Sequence, residues 1–163
     1  MPPFTTAILS ETGKAAYQAL LAADQFEESF IGIAAQPSHL VVAYRTLLKE
    51  TEADSAFKQL LEQASPAGQL YALCGVYFTD PASFPALVEK NRNRSEPVRV
   101  QSGCLGFGVP FADILADKSP QAVRLSGPDA SLMEWRRDHP DCNKFDIVGG
   151  GYPHAFTQSF AFG

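Results

Sequence analysis

Hydrophobic residues recur every three or four positions in several stretches of the chain, which is the spacing of an amphipathic helix. The stretches HLVVAYRTLLKE, residues 39–50, and ADSAFKQLLEQA, residues 53–64, show this pattern most clearly. Another helix is predicted to follow Ser10, because serine is a good N-cap. Gly13 in its first turn costs about 1 kcal/mol relative to alanine, so the pattern leaves the start of this helix open.

The segment AGQLYALCGVYF, residues 67–78, is apolar on almost every side and predicts a helix buried between neighbours. Ser65-Pro66 ends the helix before it and starts this one, since proline is tolerated at the first helical position. Thr79-Asp80-Pro81 repeats the pattern before ASFPALVEKN, residues 82–91, a helix predicted to be kinked at Pro85 or to begin near it. Such short links place consecutive helices antiparallel.

Other stretches of the chain are less regular. FEESFIGIAA, residues 26–35, is too short to assign, and VRVQSGC, residues 98–104, alternates as a strand does. Short helices are predicted at Phe111 to Lys118 and in SLMEWRRDHP, residues 131–140. The sequence therefore predicts a mainly α single domain over residues 1–163. Antiparallel helical hairpins form its core at about 10–93, and a loop-rich part follows at about 94–163 with at most a small β element.

The alternation of helix and short Ser/Pro or Asp-Pro link resembles the helical hairpins of HEAT-type α-solenoids. From Leu60 to Phe78 the chain is also similar to a set of small uncharacterised bacterial proteins with an AGQLYALCG…TDP core and a later GC. The second resemblance covers about residues 31–104. It implies a helical fold and brings no activity with it.

The composition fits a globular domain, with 45% hydrophobic and 19% charged residues among 163. No run of 18 apolar residues occurs, so no membrane span is predicted. The N-terminal MPPFTTAILSETGK has neither the basic leader nor the apolar core of a signal peptide. The default expectation is a cytoplasmic protein, with a periplasmic or secreted one as the alternative if the sequence is a mature form.

The formal charge of −5, from 18 acidic and 13 basic residues, disfavours nucleic acid as a partner and fits association with a basic protein. The densest basic stretch comprises Lys90, Arg92, Arg94 and Arg99. These side chains are expected to cap helix carbonyls or face solvent. The acidic pairs Glu27-Glu28 and Glu50/Glu52 are expected at helix ends, where carboxylates stabilise a helix N-terminus.

The three cysteines are Cys74, Cys104 and Cys142, and no two of them form a C-x-x-C motif. A disulfide between Cys74 and Cys104 would close a loop of about 30 residues and add about 3 to 4 kcal/mol to stability. It would require an oxidising compartment. The alternative is three free thiols, with Cys74 packed as a small hydrophobe.

Cys104, in a glycine-flanked turn, and Cys142, three residues from His139, are the candidates for a reactive thiol, because a nucleophilic cysteine needs a nearby base. No local signature links either of them to His39, His139 or His154. A metal site would draw on four residues of irregular spacing: His139, Asp141, Cys142 and His154. The sequence therefore predicts no catalytic set, no metal site and no cofactor.

The glycines Gly149 to Gly151 follow FDIV, which has the character of a short strand. A phosphate site would need a helix N-terminus after them and usually a lysine, and no basic residue follows Lys144. We expect these glycines to let the chain reverse, so that the aromatic tail packs on the helical core.

Three functions remain open from the sequence. The one favoured is a protein-binding helical module, of which a bacterial immunity or inhibitor protein that neutralises a toxin is a concrete version. The second is a small enzyme that uses Cys104 or Cys142 with a histidine. The third is a periplasmic or secreted helical domain stapled by a disulfide.

Overall fold

The computed structural model describes residues 3–31, 33–34 and 36–115 of the protein. Helices and strands follow one another in this order: α1 (Glu11–Leu21), β1 (Phe26–Ile31), β2 (Gln36–Pro37), α2 (His39–Leu48), α3 (Ala53–Gln63), α4 (Pro66–Thr79), α5 (Phe84–Asn91), β3 (Pro97–Gly103), β4 (Leu105–Pro110) and α6 (Phe111–Leu115). The described chain is thus mainly helical with a small sheet, as predicted.

Serine caps start three of the predicted helices. The side chains of Ser10, Ser38 and Ser65 accept hydrogen bonds from backbone N–H groups in the first turns of α1, α2 and α4, at 3.0, 3.1 and 3.2 Å. Helix α5 begins at Phe84 with Pro85 in its first turn, so the alternative in which the helix starts near this proline is confirmed.

Helices α3 and α4 form an antiparallel hairpin. Thr79 at the end of α4 donates to the Asp54 carboxylate at the start of α3, at 2.9 Å. At the other end, the Gln69 side chain donates to the Leu61 carbonyl, at 2.7 Å. The prediction that the two-residue Ser-Pro link reverses the chain is confirmed for this pair.

The sheet has the strand order β2-β1-β3-β4, in which β1 and β3 are parallel and the other pairs antiparallel. Helices α2 to α5 form the crossover between the parallel strands. Strand β1 lies in the 26–35 segment that the hydrophobic pattern left unassigned. The expectation that Glu27 sits at a helix end is wrong, because Glu27 is a strand residue with only 1% of its surface exposed.

Residues 97–110 form the antiparallel β3–β4 hairpin, which is the small β element that the prediction allows in the part after residue 93. The strand predicted from VRVQSGC is confirmed as β3, and the helix predicted after Pro110 is confirmed as α6 up to Leu115. The predictions for residues 131–140 and for Gly149 to Gly151 fall outside the described residues.

Helix α4 is buried on all sides, and two glycines let its neighbours approach. A Cβ atom at Gly68 would lie well within 3.0 Å of the Leu20 carbonyl oxygen, and one at Gly75 would lie well within 3.0 Å of the Phe57 ring. Real Cβ contacts essentially never reach such separations, so both positions require glycine for packing.

Gly13 leaves room for the side chain of Glu50, which would collide with a Cβ atom at this position. The Glu50 carboxylate accepts hydrogen bonds from the backbone N–H of Ser10, at 3.1 Å, and from the Ser10 hydroxyl. Glu50 therefore stabilises the N-terminus of α1, which fits the role expected of this carboxylate. The glycine that obscured the start of α1 in the sequence belongs to this arrangement.

The hydroxyl of Tyr71 joins α4 to β1. It accepts a hydrogen bond from the Glu27 N–H at 2.8 Å and donates one to the Glu27 carbonyl at 3.2 Å. The Tyr71 ring also packs edge-on against Phe26, with 4.7 Å between the ring centroids. Burial raises the pKa of Tyr71 well above its usual value, so the hydroxyl stays protonated and available as a donor.

We expect Gly68→Ala to lower the free energy of unfolding by about 3 kcal/mol, because the new methyl group would displace a backbone carbonyl that cannot rotate away. Urea denaturation measures the change. Gly108→Ala is the matched control, since a Cβ atom there meets no described atom within 4 Å, and its stability should stay within about 0.5 kcal/mol of the wild type. Equal stability of both variants would contradict the packing role of Gly68.

Tyr71→Phe should cost about 2 kcal/mol of stability, because it leaves the buried backbone groups of Glu27 without their partner. Tyr17→Phe is the control: this tyrosine is buried, but its hydroxyl makes no hydrogen bond within residues 3–115. A loss in Tyr71→Phe no larger than in Tyr17→Phe, measured by denaturation, would show that the hydroxyl does not hold β1.

Candidate functional site

The two cysteines of the described chain are free thiols in different surroundings. Cys74 lies inside α4 with 1% of its surface exposed, and Cys104 is exposed in the turn between β3 and β4. The bridge between them that the sequence left open is not formed. Burial raises the pKa of the Cys74 thiol well above its usual value, which makes this cysteine a poor nucleophile. Cys142 falls outside the described residues.

Of the three histidines, the structure describes only His39, an exposed residue that begins α2. Among the described residues, no hydrogen bond joins it to Cys74 or Cys104. The residues considered for a metal site, His139, Asp141, Cys142 and His154, all lie beyond residue 115. Up to that residue, no three His, Cys, Asp or Glu side chains group closely enough to hold a metal ion.

No helix in the described part of the chain combines the length and the hydrophobicity needed to cross a membrane.

A cleft of about 230 Å³ opens beside the loop between α2 and α3 and is lined in part by Glu50, Asp54 and Thr79. Its carboxylates already have partners. Glu50 binds Ser10, and Asp54 accepts hydrogen bonds from Thr79 and from Lys58, the latter at 2.8 Å. These groups hold helix ends together, which accounts for the polar character of the cleft.

The basic stretch does not form one positive patch. Arg92 pairs with Glu89 at 2.9 Å. Arg94 pairs with Glu96, lowers the pKa of that carboxyl, and lies 3.9 Å from the centre of the Phe111 ring. Arg99, by contrast, is exposed and makes no ion pair within the described residues.

Arg99 lies on the outer face of the β3–β4 hairpin. The register pairs it with Gly108, and pairs Gln101 with Gly106. Val98, Val100 and Val109 are buried on the opposite face, against the helices, so the strand alternation places Arg99 and the two glycines outside. The outer face therefore presents Arg99 and Gln101 next to two residues of β4 that have no side chain.

A shallow open groove of about 520 Å³ runs over this face and is lined by Asp24, Pro97, Arg99, Gly106 and Gly108. The guanidinium group of Arg99 reaches across to β4: its Nη2 and Nε atoms lie 3.6 and 3.8 Å from the position that a Cβ atom of Gly106 would take. No atom of residues 3–115 that the structure describes lies within 4 Å of the corresponding position at Gly108. Strand β4 contributes only glycines to the lining of the groove.

Strand β4 is an edge of the sheet in the part of the chain that the structure describes. Opposed residues in an antiparallel pair alternate between pairs that exchange hydrogen bonds and pairs that do not. The Phe111 N–H donates to the Glu96 carbonyl at 2.9 Å, which continues the hairpin register and fixes this alternation. The N–H and C=O groups of Gly106 and Gly108 consequently point away from β3, toward the side of β4 that no described strand covers, which we call the free side.

The edge of β4 has few features that prevent pairing with another strand. Its six residues, LGFGVP, carry no charge, and only Pro110 at its end lacks a backbone donor. Glycine is unfavourable in a strand, and no packing contact with a described residue requires it at Gly108. The arrangement suits the addition of an extended strand.

Sequence reasoning missed this surface, although a signal was present. LGFGVP alternates apolar residues with glycine, which indicates a strand with one buried face and one bare face. Arg99 was grouped with its basic neighbours in the sequence. Only the strand pairing shows that it lies beside the glycines, apart from Arg92 and Arg94.

Iodoacetamide should modify Cys104 and spare Cys74 in the folded protein, because Cys104 is exposed while Cys74 is buried and keeps its proton. Peptide mass spectrometry before and after addition of urea measures the two sites separately, and Cys104→Ser controls for their assignment. Modification of Cys74 in the native protein at a rate close to that of Cys104 would contradict its position in the core.

Comparison with known proteins adds no family to this description. No protein-family model matches the chain, and no curated protein or solved structure matches it either. The resemblances noted in the sequence remain expectations. The function has to be inferred from the geometry of the chain itself.

Proposed function

We propose that the protein is a protein-binding module that holds an extended segment of its partner along strand β4. The observation that carries the proposal is the uncharged edge of β4, where the backbone groups of Gly106 and Gly108 point to the free side. An extended segment that adds to a sheet edge gains main-chain hydrogen bonds, and side-chain contacts then give specificity.

The helical layer supports this function by holding the edge in a fixed shape. Val98, Val100 and Val109 anchor the hairpin in the core, while Phe111 and Ile114 of α6 are fully buried immediately after β4. A strand that is already ordered loses little conformational freedom when a partner binds. The edge therefore meets the partner in a preorganised state.

The net charge of −5 favours a partner that is basic overall, because long-range attraction accelerates the encounter. A bacterial toxin inhibited by this chain is one such partner, and in that case the chain would act as its immunity protein. Binding through the edge strand applies equally to other partners with an accessible extended segment.

Gly108→Pro should abolish partner binding, since proline removes a backbone donor that points to the free side and leaves the β3–β4 hydrogen bonds intact. Tagged full-length chains carrying Gly108→Pro or Gly108→Ala can be compared with the wild type in capture experiments from a lysate of the source organism. A protein retained by the wild type and by Gly108→Ala, and lost with Gly108→Pro, is the expected result.

Circular dichroism and denaturation should show that both variants keep the wild-type fold. If the same proteins are captured by all three chains at equal yield, the edge of β4 is not the binding surface. If nothing is captured above background, the binding function loses its support.

A further inference from the structure

We propose that β4 selects an extended segment with an acidic side chain opposite Gly106, and that Arg99 recognises this side chain. The proposal rests on the function inferred above and specifies what the partner must carry. Arg99 would be the specificity-determining residue of the interface.

The first support is the reach of Arg99. Its guanidinium group already lies over β4, with Nη2 3.6 Å from the position of a Cβ atom at Gly106. A strand added to β4 would run about 4.8 Å beyond it. An Asp or Glu paired with Gly106 on the outer face would then place its carboxylate beside the guanidinium group, which binds carboxylates with two parallel hydrogen bonds.

The second support is that β4 itself contributes no side chain to the outer face at Gly106 and Gly108. A Cβ atom at Gly106 would approach the Gln101 Oε1 atom to 2.9 Å and would crowd the Arg99 side chain. Glycine here allows the arginine to extend toward the edge. Among the described residues, no atom approaches the Cβ position of Gly108 either.

The third support is the charge around Arg99. The neighbouring bases Arg92 and Arg94 are paired with Glu89 and Glu96, whereas Arg99 has no ion-pair partner among the described residues. Asp24 lines the same groove, but it precedes β1 and so lies on the side of β3 away from the edge. The charge nearest the docking edge is therefore positive, in contrast to the negative total charge.

A second copy of this chain does not supply the required group. Two β4 strands paired edge to edge would offer only LGFGVP to each other, a segment without a carboxylate. They would also bring two Arg99 side chains to the same face of the joined sheet. The occupant that fits is an extended segment of another protein, with a single acid among uncharged residues.

The probe for the test is a phage-displayed library of random 12-residue peptides, selected on the immobilised full-length chain. Multivalent display retains weak binders. We expect the enriched peptides to share an Asp or Glu at one position within an uncharged stretch. A synthetic peptide of an enriched sequence should bind about three- to fivefold more tightly than its analogue with Gln or Asn in place of the acid. A difference of this size is expected of a solvent-exposed ion pair.

Arg99→Gln should remove this difference between the acidic peptide and its amide analogue. Arg92→Gln is the matched control, because it deletes an exposed base of the same charge away from the groove, and it should preserve the difference. Raising the salt concentration should weaken the acidic peptide more than its analogue. Gly108→Pro should abolish binding of both peptides, and Gly108→Ala should keep it.

The possible results separate the two proposals. Peptides that need the open edge but bind equally as acid and amide would overturn the role of Arg99 and leave edge docking intact. Enriched peptides that are insensitive to Gly108→Pro, or a selection that enriches none, would overturn both proposals. A dimer seen by sedimentation and lost in Gly108→Pro would assign the edge to a second copy, which also overturns the role of Arg99.

Discussion

The close contacts of α4 are the constraint on which the rest of the described structure depends. Gly68 lets the backbone of α1 approach, and Gly75 lets the ring of Phe57 approach, so a helix without a polar face can be surrounded by its neighbours. Any larger side chain at these points would separate the helices and leave voids, which a protein core tolerates poorly. The burial of α4 then fixes the positions of those α4 side chains that contact the sheet.

A short series of contacts connects α4 to the edge of the sheet and fixes the position of that edge. The Tyr71 hydroxyl holds the backbone of β1 at Glu27, and β1 pairs with β3 in a parallel register. Val98 and Val100 of β3 are buried, so the alternation of the strand turns Arg99 outward. The position of the proposed specificity residue is thus a consequence of core packing, although Arg99 itself contributes nothing to that core.

The helices could be predicted because their signals are local: a serine cap, a proline in the first turn, and apolar residues at helical spacing. Strand β1 could not be predicted from such local signals. Phe26 and Phe30 stand four residues apart, as in a helix, and the strand buries Glu27, whose carboxylate is satisfied by hydrogen bonds from Gln25 at 2.6 Å and Ser38 at 3.0 Å. The candidate site could not be predicted from the sequence for a related reason: it depends on which strands pair and on the register between them.

The segment AGQLYALCG…TDP, on which the expected resemblance depends, has structural roles in this chain. Within AGQLYALCG, Gly68 and Gly75 permit helix packing, Tyr71 binds β1, and Cys74 fills the core. Asp80 of the TDP segment binds Lys58 at 2.8 Å and caps the hairpin. The groups proposed to choose a partner lie outside that segment, on the hairpin at residues 97–110. Substitutions at Arg99 or Gly108 would therefore change the proposed binding surface without disturbing the packing of α4.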